Sequence, residues 1–93
     1  MPGSVRLDRK GKLEFPCRYP VKAMTRTRDQ AVGRVLEAMT DAGARPDRDS
    51  VSVRPSRNGR FQSITVDVQA ESREDLEAVY ARLRDLDIVV MTL

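Results

Sequence analysis

The densest chemistry in this 93-residue chain lies at Arg54-Pro55-Ser56-Arg57-Asn58-Gly59-Arg60-Phe61-Gln62-Ser63. Guanidinium groups present a planar fork of donors that suits phosphate and carboxylate oxygens. The serines add hydroxyl donors, and Asn-Gly is the pair a tight hairpin favours. Turn chemistry accounts for Asn58 and Gly59 without a ligand, through a two-residue type I′ turn. Arg54, Ser56, Arg57, Asn58, Gly59, Arg60 and Ser63 are therefore the candidate contact for an anion or a partner, with the hairpin as their first duty.

Other chemistries are thinly supplied. The chain has no histidine and one cysteine, Cys17. The commonest general base is missing, and neither a Ser-His relay nor a Cys-x-x-Cys pair can be assembled. Cys17 alternates with apolar residues and reads as a small buried hydrophobe. Asp47 and Asp49 flank Arg48 and read as solvated loop charges rather than cation ligands. The expectation is a protein without catalytic residues, metal or cofactor.

Charge is unevenly placed. Residues 1–60 carry 14 Lys/Arg against 7 Asp/Glu, and residues 61–93 carry 3 against 7. A basic first part attracts polyanions. No apolar run reaches the roughly 20 residues that cross a bilayer, and the first residues lack an apolar leader. No membrane association and a cytoplasmic location are expected.

The elements that must position these residues follow from periodicity. Residues 1–13 show no pattern and read as a flexible basic tail; residues 14–93 form one domain. Phe15, Cys17, Tyr19, Val21 and Ala23 alternate with Arg18, Lys22 and Met24, giving a strand paired from about Tyr19 to Thr25 or Arg26. Thr27-Arg28-Asp29-Gln30 reads as a capping box before a helix whose stripe is Ala31, Val32, Val35, Leu36, Met39 and Ala42, stopped at Gly43. Residues 50–56 and 63–70 read as a hairpin. Ser72 opens a second helix with the stripe Leu76, Val79, Tyr80, Leu83 and Leu86, and residues 88–93 close the chain as a strand.

Strand, helix, strand, strand, helix, strand is the order of the α+β ferredoxin-like βαββαβ plait. It predicts a four-stranded antiparallel sheet with the first and third strands central and both helices on one face. That face should receive Val21, Val53, Ile64, Val66 and Val68. The other face should show Lys22, Met24, Ser63, Thr65, Asp67 and Gln69. RNA-recognition domains share this plait and stack bases on aromatics of the open face. Here Ser63 and Thr65 stand where those aromatics would be, so nucleic acid is not favoured. The edge strand at 50–56 and the open face both offer contacts for a homodimer.

Leu13-Glu14-Phe15-Pro16, Tyr19-Pro20-Val21-Lys22-Ala23-Met24, the stretch from Arg54 to Ala70 and the closing Leu86-Asp87-Ile88-Val89-Val90-Met91-Thr92-Leu93 resemble the YbeD-like family of small bacterial proteins. The resemblance covers residues 13–93. It implies a plait similar to the ACT regulatory domain, a regulatory role and a link to lipoate metabolism, and it brings no catalytic residues. It also implies an effector loop at Thr25, Arg26 and Thr27. This chain has Met24-Thr25 where members commonly have Met-Gly, and threonine adds bulk and disfavours positive φ there. The reading that results is a non-enzymatic regulatory or adaptor domain acting through a protein partner or a small effector. Its alternative is RNA or polyanion binding through the basic hairpin and the N-terminal tail.

Overall fold

The computed structural model describes Leu7 and residues 10–93. Most of the expected basic tail lies outside the described residues. Leu7 forms an isolated antiparallel bridge with Leu13, and Leu13 packs partly against the core.

The elements run β1 (Cys17–Arg26), α1 (Ala31–Asp41), β2 (Arg45–Pro46), β3 (Ser52–Pro55), β4 (Phe61–Ala70), α2 (Arg73–Arg84) and β5 (Val89–Thr92). All pairings are antiparallel, with β1 and β4 central, β5 on one edge, and β2 and β3 both paired to β4 on the other. This is the ferredoxin-like plait, with its second strand divided in two. The core forms between the sheet and the helices, where Val21, Ala23, Ile64, Val66 and Val68 meet Val35, Met39, Val79 and Leu83. Cys17 is buried at the end of the same strand face.

A short 3-10 turn at Arg48–Ser50 divides the second strand. Asp47 caps that turn, its carboxylate accepting from Asp49 N–H at 2.9 Å. Asp67 on β4 then bonds to the interruption rather than to a regular strand. Its C=O accepts from Asp47 N–H at 2.8 Å, and its N–H donates to Ser50 Oγ at 2.8 Å. The same geometry admits a proline in a central strand. Pro20 lies opposite Asp67 in register, but the main-chain groups of Asp67 point away from it. On the other side of β1, β5 reaches back only to the bond from Leu93 N–H to Lys22 C=O. Pro20 occupies a position where neither neighbour requires its missing N–H, so pairing begins at Cys17, two residues before the expected start.

Three further expectations are corrected. Val53 has core-side parity opposite Ile64, yet it is 43% exposed, because it lies on an edge strand beyond the cover of the helices. The capping box is not formed. α1 starts at Ala31 with Gln30 at its N-cap and no side-chain cap, because the Thr27 hydroxyl is used elsewhere. The hairpin turn is not type I′, since Gly59 is at φ 76° and, among the described residues, none but glycine has positive φ. Gly59 N–H instead donates to Ser56 C=O at 3.1 Å, with Asn58 held at negative φ.

The helix ends follow local rules. α1 stops in a Schellman arrangement: Ala44 N–H reaches Met39 C=O, Gly43 N–H reaches Thr40 C=O, and Gly43 sits at φ 92°. Ser72 caps α2 by accepting from Asp75 N–H at 3.2 Å, and Glu74 and Asp75 lie in the first turn, at the positive end of the helix dipole.

Candidate functional site

The β3–β4 hairpin is built largely by its own polar side chains. Ser56 N–H donates to Phe61 C=O at 2.8 Å, and Phe61 N–H donates to Ser56 Oγ at 3.1 Å. Asn58 Oδ1 accepts from Arg60 N–H at 3.0 Å and lies 3.2 Å from Ser56 Oγ. Ser56 and Asn58 are therefore committed to the turn. Arg57 and Arg60 remain exposed on its tip.

That tip is fastened to the loop between β1 and α1. Thr27 N–H donates to Arg60 C=O at 3.0 Å, and Thr27 Oγ1 donates to Gly59 C=O at 2.7 Å. This cross-chain tie occupies the hydroxyl expected to cap α1. It also unites two groups of candidate residues distant in sequence. Arg26, Thr27 and Arg28 face Gly59, Arg60 and Phe61 across a shallow cleft of about 420 Å³. The register prepares this meeting, since Arg26 pairs with Phe61 at the end of the β1–β4 ladder. Arg28 donates to Thr27 C=O at 2.8 Å, which spends part of one guanidinium. Among the described residues, Arg26, Arg28, Arg57 and Arg60 make no ion pair with a carboxylate. Thr25 does not join the cleft. It is fully buried, and its hydroxyl donates to Arg26 C=O at 2.9 Å.

Arg54 and Ser63 sit apart from this cleft. Both project from the uncovered face of the sheet, where they line a second depression with Lys22, Ser52 and Thr65. The candidate hairpin residues thus separate: Ser56 and Asn58 build the turn, Gly59 and Arg60 line the cleft, Arg57 is exposed on the tip, and Arg54 and Ser63 face the open sheet. Arg28 and Phe61 were missed as cleft residues. The signal for Phe61 was its place opposite Arg26, which could be obtained by counting back along both strands from the hairpin.

The far end of the open face is different. Arg18 Nε donates to Asp67 Oδ2 at 3.1 Å, and Arg18 Nη2 pairs with Asp47 Oδ2. The Arg18 guanidinium holds the Asp47 carboxyl below the ordinary carboxylate range, helped by the Asp49 N–H. Asp47 is therefore engaged in an ion pair and a turn cap. Among the described residues, no group of three or more cysteine, aspartate or glutamate side chains is placed to hold a metal ion. Burial pushes the Cys17 thiol upward, which disfavours the thiolate. Tyr80 is pushed up to about 12, chiefly by burial and then by Tyr19, and its hydroxyl lies 3.3 Å from Leu93 C=O. No helix among the described residues is long and apolar enough to cross a membrane.

The comparisons with known proteins agree with this architecture. Residues 10–93 match the family described as "Protein of unknown function (DUF493)". The chain belongs to this family. It is the YbeD-like group that the strand and hairpin motifs resemble. A UPF0250 protein of Nitrosomonas europaea is 35% identical over 81 residues, spanning 87% of this chain and 93% of that protein. One from Chromobacterium violaceum is 37% identical over 87 residues, spanning 92% and 98%. The solution structure of protein HP0495 from H. pylori superposes with a TM-score of 0.66 at 20% identity, covering 98% of this chain and 97% of that one. At that identity the likeness speaks to the fold.

Proposed function

We propose that this DUF493 member is a non-enzymatic, cytoplasmic regulatory or adaptor domain of ACT-like form. Its contact surface is the cationic cleft between the hairpin tip and the β1–α1 loop. The observation that carries this reading is the double hydrogen bond of Thr27 to Gly59 and Arg60. It fixes a loop and a hairpin in one orientation and gathers Arg26, Arg28 and Arg60, with no neutralising carboxylate among the described residues. Three cations held together repel one another, and a bound anion would relieve that cost. The complementary partner is a protein segment rich in aspartate or glutamate, docked against the arginines with Phe61 as the apolar element beneath them. A connection to lipoate metabolism rests on the family resemblance, and a homodimer on the unpaired sheet edges.

The test is affinity capture from the native cell with partner identification, comparing wild type with Arg26→Gln/Arg28→Gln/Arg60→Gln. An Arg45→Gln control removes an arginine already paired with Glu71. A partner held by wild type and the control but lost by the triple variant supports the reading. Identical partners for all three contradict it.

A second reading, binding of RNA or another polyanion, draws on Phe61, which stands beside Arg26 on the uncovered side and could stack one base. It predicts a log–log salt slope of about −0.7 per phosphate contacted on a single strand. A flat slope on an oligonucleotide column removes it.

A further inference from the structure

Most of the described side-chain hydroxyls of serine and threonine are spent on the fold. Those of Thr25, Thr27, Thr40, Ser50, Ser56 and Ser72 all take part in hydrogen bonds within the chain. Ser52, Ser63 and Thr65 are exceptions, and they lie side by side. In register, Ser52 on β3 faces Thr65 on β4, which faces Lys22 on β1; one row along, Arg54 on β3 faces Ser63 on β4. Strand spacing and rise place these five side chains within a patch of roughly 10 by 7 Å. They share the uncovered face and line a depression of about 280 Å³. Among the described residues none of the five side chains makes a hydrogen bond or ion pair.

We infer that this depression is a binding site for a phosphoryl group of a small metabolite. A tetrahedral oxyanion offers several oxygens to one surface. Three short hydroxyl donors, a lysine point charge and an arginine fork are the donor set that such a group requires. A planar carboxylate would use only part of it. Among the described residues no carboxylate lines the depression. The nearest acid along β4, Asp67, is held by Arg18 at 3.1 Å and so contributes little opposing charge. The site is distinct from the hairpin cleft and goes beyond the adaptor reading: the cleft would take an extended acidic segment, and this depression a single phosphoryl group.

The test is a two-dimensional amide NMR titration of the full chain at constant ionic strength, with chloride balancing each addition. Inorganic phosphate and glycerol 3-phosphate are run in parallel, so that free phosphate and a phosphate monoester are distinguished as sources. The expected result is a saturable shift confined to residues near 22, 52–54 and 63–65 with at least one of the two. In Lys22→Gln/Arg54→Gln, affinity should fall at least about tenfold, as expected for losing two charge-assisted contacts. Arg26→Gln/Arg60→Gln should bind as wild type does, so failure of the cleft reading would leave this result intact. An unchanged far-ultraviolet spectrum confirms that each variant is folded, and Ser63→Ala/Thr65→Val supplies a milder probe of the same site. Shifts that fail to saturate, that persist in the Lys22/Arg54 variant, or that spread equally over the hairpin cleft overturn the inference. So does preferential binding of a single-stranded oligonucleotide through these residues.

Discussion

The two ends of the open sheet face use charge in opposite ways. At the β2 end, Arg18 is engaged by Asp47 and Asp67, and Asp47 and Ser50 also bond to the backbone of the 3-10 turn and, through Ser50, of β4. At the hairpin end, Arg26, Arg57 and Arg60 make no such pairs among the described residues, and Arg28 reaches only a neighbouring carbonyl. The first end spends its polar groups on holding an interrupted strand in register. The second holds its backbone with Ser56, Asn58 and Thr27 and leaves its cations unspent. Polar residues that fold this chain and polar residues available for binding are thus separable by position.

The largest expected effect tests the structural end. Ser50→Ala removes the acceptor of Asp67 N–H inside the sheet and should cost about 1–3 kcal/mol in urea unfolding. The same truncation at Ser63, whose hydroxyl has no hydrogen-bond partner among the described residues, should stay within about 0.5 kcal/mol. Equal losses at the two serines would erase the contrast.

Acid titration sharpens it next. Asp47 is held low by Arg18, and Asp87 by Arg34. A carboxyl depressed in the folded state stabilises fully above its unfolded value, about 4, and loses that contribution as pH falls through the depressed folded value. The urea midpoint of wild type should therefore drop below about pH 4, and Arg18→Gln should show a shallower drop from a lower plateau. Parallel curves would mean that Arg18 does not stabilise Asp47.

A smaller effect is expected where the ends differ in purpose. Thr27→Val removes the Oγ1 bond to Gly59 but keeps the backbone bond, and should cost about 0.5–1 kcal/mol. Faster hydrogen exchange at Thr27 N–H should accompany it. Smallest of all, Arg57→Gln and Arg60→Gln should leave the unfolding midpoint within about 0.5 kcal/mol of wild type, or raise it slightly by relieving repulsion.

Much of this division was legible in the residues. Two-residue alternation located β1 and β4, the three- and four-residue stripes located both helices, and together they specified the plait. What stayed hidden depended on side chains bonding to distant backbone. The alternation over Val51, Val53 and Pro55 located β3 but not the short β2 before it, which the bonds of Asp47 and Ser50, local and to Asp67, set apart from β3. Thr27-Arg28-Asp29-Gln30 has the spacing of a capping box, yet the threonine reaches a carbonyl 32 residues away. Asn58-Gly59 signals a hairpin correctly, but the asparagine side chain bonds to Arg60 N–H in a wider turn. Local spacing cannot rank a nearby partner above a remote one. For the same reason the sequence offered Thr25 to Thr27 and Arg54 to Ser63 as separate candidates, and only the β1–β4 register joins Arg26 to Phe61.

The most direct test of the partition is site-specific photo-crosslinking in the native cell. The probe is placed at Arg57 on the hairpin tip and, separately, at Arg48 beside the Arg18 pair. An adduct with one identified protein is expected from position 57 alone, mapped to an acidic segment and abolished by Arg26→Gln/Arg60→Gln. The same adducts from both positions, or an adduct from position 57 that survives those substitutions, would contradict the partition.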